Sequence, residues 1–410
     1  MSEIISNLST GHTSKILFWV FDGVGGLPHP DTKLTELEGA HIPYLDAFAR
    51  KGACCGLQPV SAGVTPGSGP GHMGLFGYDV MDIELPRGIL EVLGAETVLH
   101  KGEVVEFELQ KGDIAARGNF ATLQAGKISD RRAGKPPTEV SRVLVEKLSR
   151  ELVIDGIDIY FIPGEQHRFA VLLRGPDLVG PLTDGDPQKT GLAPVDVEPL
   201  EGGTQKTADL FNLVRDRATE ILNDEDVANT VLLRGIGNPP NIDSLESLYG
   251  IKCAAIATYP MYRGIARMVG MDILPVESLS HEEEVDVLEK YFDDYDFFYL
   301  HIKETDSYGH TGEFDKKMAV LEECDALFER AQNMGFDVVV VTGDHCTPCL
   351  LKEHSWHPIP TAMWSKTILS GAAKGYSELE CYKGAYGIRP SSDLLPLALA
   401  EAGRLKKFGA

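Results

Sequence analysis

Four polar clusters in this chain place metal-capable side chains at the ends of apolar runs. Asp22 closes the run Ile16 to Phe21 and is followed by Gly23-Val24-Gly25-Gly26, glycines that let the backbone turn tightly and approach a ligand. Asp306 and His310 lie four apart, just past the apolar run that ends at Ile302. On a helical turn that spacing puts both on one side, and Asp with His makes half a site for a borderline divalent cation. Asp344 and His345 come after four consecutive valines, Val338 to Val341, and then Thr342-Gly343. Two such side chains at the end of so apolar a strand are costly unless something uses them. In His354-Ser355-Trp356-His357 one histidine is a candidate ligand and the other a surface residue. Jointly, three Asp and three His can hold two metals about 3.5–4 Å apart, the arrangement that clamps the attacking and leaving oxygens in phosphoryl transfer.

A nucleophile for that chemistry stands in Val64-Thr65-Pro66-Gly67-Ser68-Gly69-Pro70-Gly71-His72. Ser68 is expected to cap a helix, with Pro70 in its first turn. A hydroxyl there faces free backbone N–H groups and the positive end of the helix dipole, which suits a phosphate or a phosphoserine. A metal on its oxygen would supply the activation that a free serine lacks. The plain alternative is a capping serine in a turn. Thr65, upstream of Pro66, is the competing nucleophile.

The elements that position these residues alternate between strand and helix. Ile16 to Phe21 reads as a buried parallel strand, and Pro43 to Lys51 carries apolar residues at helical spacing. The C-terminal half repeats this grammar. Val231 to Leu233, Cys253 to Ala257, Asp296 to Ile302 and Val338 to Val341 read as strands, and Phe314 to Met334 as a long amphipathic helix. Such alternation predicts an α/β fold with a parallel sheet covered on both faces. Ligands of such sheets bind beyond the carboxyl ends of the strands, where the four clusters fall. From about Thr97 to Gly203 the chain is richer in Gly, Pro and charge. Its short alternating runs, Glu103 to Leu109, Ile157 to Ile162 and Phe169 to Leu173, predict a smaller α+β domain inserted into the core.

Composition narrows the function classes. A formal charge of −23, from 61 acidic and 38 basic side chains, repels nucleic acid and anionic membrane, so neither is an expected partner. An anionic substrate needs a local reversal of that field by arginine and metal. No run approaches the roughly 18 apolar residues of a membrane span, and the first fifteen residues lack a signal peptide's apolar stretch. Seven scattered cysteines do not form a disulfide framework, so a reducing cytoplasm is expected. Cys346 and Cys349 read as two buried thiols, since no second pair accompanies them.

The motifs resemble those of the cofactor-independent phosphoglycerate mutases of the archaeal type, in the alkaline phosphatase superfamily. The likeness runs through Asp22-Gly23, the Thr-Pro-Gly-Ser loop ending in Ser68, Gly77-Tyr78-Asp79, Arg117 to Thr122, Asp130 to Gly134 and His167 to Phe169. It continues through His301 to His310, Thr342 to Cys349 and Lys352 to Ser355. The resemblance implies an alkaline-phosphatase-like doubly wound core (residues 1–85 and 228–410) and an inserted substrate-binding or lid domain (86–227). It implies one metal held by Asp306, His310 and His354, and a second by Asp22, Asp344, His345 and the Ser68 oxygen. The match at Lys352 to Ser355 selects His354 over His357. Arg117, Arg131, Arg132 and Arg168, with Arg263 in the resumed core, become candidates for binding phosphate and carboxylate. Asp130 becomes the candidate acid/base for the hydroxyl of the sugar acid. One departure stands beside the nucleophile: many members follow it with Asp-Thr-Ala-His, and this chain has Gly69-Pro70-Gly71-His72.

The expected function is interconversion of 3-phosphoglycerate and 2-phosphoglycerate through a phosphoserine at Ser68, without 2,3-bisphosphoglycerate. Mixed Asp/His ligation favours manganese, with zinc or cobalt as substitutes and magnesium fitting less well. Three alternatives remain open at this point: a homoserine-kinase-like phosphotransferase acting on a small alcohol, a metal-dependent phosphatase, and a catalytically inert metal-binding regulator. Oligomeric state, including a homo-oligomer, is left open.

Overall fold

The computed structural model describes residues 3–81, 83, 85–95, 97–278, 280–371 and 373–409. Three apolar runs set the larger sheet. Ile16–Phe21, Phe297–Ile302 and Val338–Thr342 are buried at every position. They pair in parallel with Ile16–Phe21 in the middle, so that Phe21 lies beside Ile302 and Val20 beside Thr342. Among the described residues the sheet has eight strands, ordered Asp272–Ile273, Cys253–Ile256, Phe297–Ile302, Ile16–Phe21, Val338–Thr342, Ile359–Ser365, Ala53–Gln58 and Gly387–Pro390. Ile359–Ser365 runs antiparallel to both neighbours, and the other pairings are parallel. Strands are added on both sides of Ile16–Phe21, which gives the doubly wound α/β order predicted from the sequence.

Helices cover this sheet through their apolar stripes. Phe314–Gln332 buries Val320, Leu321 and Phe328, and Phe328 meets Trp19 edge-on with ring centroids 5.5 Å apart. Each such side chain contributes about 1.5–3 kcal/mol by leaving water. No helix among the described residues is long and apolar enough to cross a membrane. All seven cysteines are free and buried, Cys346 and Cys349 included.

The chain divides into two compact units: Met1–Ile83 with Ile242–Tyr259 and Ile265–Ala410, and Glu84–Asn241 with Pro260–Gly264. Among the described residues the second unit is built on a seven-stranded sheet. One face of that sheet packs against the helices Thr138–Glu151 and Gln205–Ile221 through Leu144, Leu148, Phe211 and Val214. The other face meets Arg87–Leu93 through Ile89 and Val92.

Three local expectations change. Thr230–Gly237, which contains the run Val231 to Leu233 read as a core strand, pairs antiparallel with Ile114–Gln124 in the smaller sheet. Its apolar residues alternate between Val231 and Leu233 on one face and Leu232 on the other, a pattern that names a strand but not its sheet. Arg263 likewise groups with the second unit rather than with the resumed core. Glu103 to Leu109 is a strand only over Glu103–Val104, after which Val105, Phe107 and Leu109 pack their side chains without a ladder.

Candidate active site

The parallel register delivers the predicted ligands to one place. Asp22 follows Phe21, Lys303 follows Ile302, and Asp344 and His345 follow the strand Val338–Thr342, so three neighbouring strands end on the same edge. Asp306 and His310 lie on the helix Glu304–Thr311 that begins there. Gly23, at φ 62°, makes the turn after Asp22. A Cβ on it would lie 2.4 Å from Thr347 Oγ1, so only glycine allows these loops to close on each other.

The resulting side chains form two overlapping sets with ligand atoms within 4.8 Å of one another: Asp22, Asp344 and His345, and Asp306, His345 and His354. His310 borders the second set, with Nε2 3.5 Å from Asp306 Oδ1. His357 lies outside both sets, its Nδ1 bonded to Ser355 Oγ at 3.0 Å. Each of the three site histidines spends its Nδ1 elsewhere. His354 Nδ1 donates to the Pro66 carbonyl (2.9 Å), His310 Nδ1 to the Lys352 carbonyl (3.1 Å), and His345 Nδ1 meets Thr347 Oγ1 (3.0 Å). The Thr347 hydroxyl in turn donates to Asp306 Oδ1 at 2.7 Å, which makes His345 Nδ1 the donor in that pair. All three Nε2 lone pairs are therefore left facing carboxylate oxygens.

That arrangement tests whether metal ions fit these residues. His345 Nε2 stands 3.1 Å from Asp344 Oδ2 and 3.4 Å from Asp22 Oδ1. Burial holds the His345 imidazole below its ordinary pKa, so it is neutral and presents an acceptor to acceptors. Asp22 Oδ1 and Asp344 Oδ2 are buried and accept no hydrogen bond among the described residues. A cation placed among the three relieves that contact, and a mixed carboxylate and imidazole donor set suits a borderline divalent ion.

Local cations make a partial substitute. Burial pushes the Asp22 carboxyl up, and the Lys303 ammonium at 3.0 Å, with His301 and His345, more than offsets it and holds the group well below the carboxylate range. Lys303 also reaches Asp306. Burial drives the His72 imidazole down, and Asp344, 3.2 Å away, brings it above its ordinary value.

Ser68 stands at the rim of the first set, its Oγ 3.3 Å from His345 Nε2. The helix Ser68–Leu75 is capped by Gly67 and not, as expected, by Ser68, which is the first helical residue. The shift frees the hydroxyl from capping its own helix. Gly71 lets that helix approach the ligand loop, since a Cβ there would lie 2.4 Å from the Asp344 carbonyl oxygen.

The second unit gathers charge of the other sign. Its expected substrate residues occupy the strands Ile114–Gln124 and Arg168–Arg174 and the turn after Lys127–Asp130, with Arg263 on the helix Pro260–Met268. Arg131 is spoken for: it grips the buried Asp186 with two parallel bonds, and Asp186 lies 3.7 Å from Arg234. Arg117 pairs with Glu91 at 3.5 Å. Asp130 accepts the backbone N–H groups of Arg132 (2.8 Å) and Gly134 (2.7 Å), which folds the turn that presents Arg131 and Arg132. Among the described residues the buried Arg168 Nε, His167 Nδ1 and Asn119 Oδ1 have no hydrogen-bond partner. Asn119 lies directly opposite Arg168 in the sheet. His167 is only 4% exposed; burial, then Arg168, Arg132, Arg117 and Lys135 around it, push it down to about 4.

His72, Lys303, Thr347, Asn119 and His167 carry no role in the sequence reading. His72, Asn119 and His167 were already inside its motifs, and so were Lys303 and Thr347. What was missing was a reason to separate them from their neighbours.

Known proteins supply the family. A family model described as 2,3-bisphosphoglycerate-independent phosphoglycerate mutase matches residues 49–228. The chain is 42% identical, over all of its length and 99% of the relative's, to a probable 2,3-bisphosphoglycerate-independent phosphoglycerate mutase of Thermosipho africanus. A protein of the same description from Thermus thermophilus is 43% identical over 99% of both chains. The chain belongs to the 2,3-bisphosphoglycerate-independent phosphoglycerate mutase family. Its fold agrees with solved structures of that size. The cofactor-independent phosphoglycerate mutase of Thermoplasma acidophilum superposes with a TM-score of 0.72 at 27% identity, covering 96% of this chain and all of that one. The PH0037 protein of Pyrococcus horikoshii gives 0.82 at 25% identity over 97% of this chain and all of its own.

Proposed function

We propose that this member of the mutase family interconverts 3-phosphoglycerate and 2-phosphoglycerate by passing the phosphoryl group through Ser68. The observation that carries the reading is the Ser68 hydroxyl beside His345 Nε2, where buried acceptors face one another across a place for a cation. Asp22, Asp344, His345 and Ser68 would hold one divalent metal, and Asp306, His310 and His354 a second, with manganese the best match to the donors. Such ions, when bound, lower the pKa of the serine hydroxyl and offset the charge of the phosphate.

The residues of the chain account for the rest. Ser68 Oγ attacks phosphorus, the bond from phosphorus to the glycerate oxygen breaks, and that oxygen takes up a proton. The phosphoserine lies at the positive end of the helix Ser68–Leu75. The other glycerate hydroxyl then loses a proton and attacks, which restores the serine. Asp130 has a lone pair on each oxygen beyond its backbone bonds and is the group proposed to exchange these protons. Arg132 and Arg168, with Arg117 and Arg263, bind the carboxylate and phosphate, while Asn119 and His167 supply neutral hydrogen bonds among those cations. Arg131 serves this set indirectly through its pair with Asp186. In this reading the unit Glu84–Asn241 is the substrate-binding domain.

One reaction mixture with manganese and 3-phosphoglycerate tests the proposal. Enolase coupling follows 2-phosphoglycerate and a colour assay follows free phosphate. Isomerisation should outrun phosphate release by a wide margin. Dominant phosphate release would replace the mutase by a phosphatase, and a phosphoester formed from ATP and a small alcohol would replace it by a kinase-like enzyme.

A further inference from the structure

Lys317 lies on the helix Phe314–Gln332 and is completely buried. A buried ammonium is costly unless its donors are used. Its Nζ donates to the carbonyl oxygens of Gly23 (2.8 Å) and Thr347 (2.9 Å), with that of Gly25 at 3.5 Å. Its carboxylate neighbour, Glu36 at 4.0 Å, accepts the N–H of Cys349 at 2.8 Å. The carbonyls belong to two loops beyond the strand ends, one after Asp22 and one after His345. These loops touch through the Thr347 N–H on the Gly23 carbonyl (3.1 Å) and bridges from Val24 and Gly25 to Cys346, and Lys317 caps that junction. The first loop carries the residue next to Asp22. The second carries Thr347, whose hydroxyl orders both Asp306 Oδ1 and His345 Nδ1.

We infer that Lys317 is a positioning residue for the metal centre, fastening the Asp22 loop to the Thr347 loop so that the carboxylates and Nε2 atoms converge before any metal arrives. The inference rests on the metal reading above. The reason is geometric: both loops follow parallel strands, and Lys317 draws the Gly23 and Thr347 carbonyls onto one nitrogen, which adds to the few backbone bonds between the loops. Lys317 ties them with directional bonds in a site from which water is excluded, and Thr347 transmits the placement to one ligand from each metal set.

Three explanations of the buried lysine differ in sign. If it positions ligands, Lys317→Met weakens metal binding. If it acts only as a nearby positive charge, the change strengthens binding. If it only holds the scaffold, the metal-free protein melts earlier and binding is unaltered. The measurement is a titration of the metal-free full chain with Mn²⁺, reading free ion by paramagnetic resonance, beside a thermal melt of the same sample. The expected result is a rise of about tenfold or more in the Mn²⁺ dissociation constant for Lys317→Met. Thr347→Val, which leaves the lysine in place, should produce a loss of the same direction. The double variant should lose no more than the weaker-binding single variant, since both act through one contact. Binding by Lys317→Met as tight as that of the unmodified chain, or tighter, overturns the inference. So does unaltered binding by Thr347→Val, which stands alone if the lysine variant does not fold. If the unmodified chain binds no Mn²⁺, the metal reading itself falls.

Discussion

The centre around Asp22, Asp306 and Asp344 and the cluster around His167 are opposite answers to one problem. The first buries carboxylates against imidazoles whose Nδ1 atoms are engaged elsewhere, and Asp22 Oδ1 and Asp344 Oδ2 accept no hydrogen bond among the described residues. The second collects Arg117, Arg132, Arg168 and Lys135 around a neutral histidine inside a chain of formal charge −23. Arg131 and Arg234 share the nearby carboxylate of Asp186. Arg168 keeps a donor, Nε, with no partner among the described residues. In the proposed reading one region receives cations and the other an anion. Neither local charge pattern follows from net charge, which describes the whole surface and no single site.

The contrast breaks most sharply at Ser68, the proposed nucleophile at the acidic centre. Ser68→Ala should lower isomerisation on the order of 10³-fold or more while Mn²⁺ binding persists, read by enolase coupling and metal titration. Turnover near that of the unmodified chain would pass the nucleophile's role to Thr65 or to water. A second comparison lies within the acidic centre itself. His354→Ala should weaken Mn²⁺ binding on the order of 10–100-fold and halt turnover. His357→Ala should do neither, because its Nδ1 contact ends at Ser355. Equal losses would mean that the ligand set is divided wrongly.

The basic cluster divides by partnership. Arg168→Ala should raise KM for 3-phosphoglycerate about 10–100-fold, the worth of a charge-assisted hydrogen bond, with no change in metal affinity. Arg131→Ala should instead cost on the order of 2 kcal/mol of stability, read in denaturant, because it strands the buried Asp186. A large KM effect from Arg131 with unchanged stability would put it among the substrate groups.

The smallest effect concerns acid. Unfolded histidine titrates near 6.5, and folded His167 is held at about 4. Between those values the unfolded chain takes up a proton that native His167 refuses, so stability falls as pH drops from 6.5 and the loss levels off below about 4. His167→Asn should make the denaturation midpoint fall less steeply across that window. An unchanged slope would mean that His167 is protonated in the fold and that its cationic surroundings are weaker than the geometry indicates.

Strands and the polar residues that follow them were legible in the chain for a local reason. Ile16 to Phe21 and Val338 to Val341 are apolar without interruption because both faces of a parallel strand are buried. Asp22, Asp306, Asp344 and His345 stand out because polar side chains directly after such runs need a purpose. Pro43–Lys51 was predicted to the residue from its helical spacing. Other properties depend on partners remote in sequence. Val231 to Leu233 is a strand by its own pattern, but its sheet is settled by pairing with Ile114–Gln124 more than a hundred residues earlier. Ser68 looked like a cap because Ser favours that position, whereas the contact of Gly71 with the Asp344 loop sets where the helix starts. Arg131 and Arg168 are alike in sequence and differ because Asp186 reaches only one. Lys317, written among Asp315, Lys316 and Met318, reads as solvent-facing charge. It is buried because three carbonyls from two separate loops converge on its nitrogen, and a local spacing rule carries no information about groups 30 and 294 positions away.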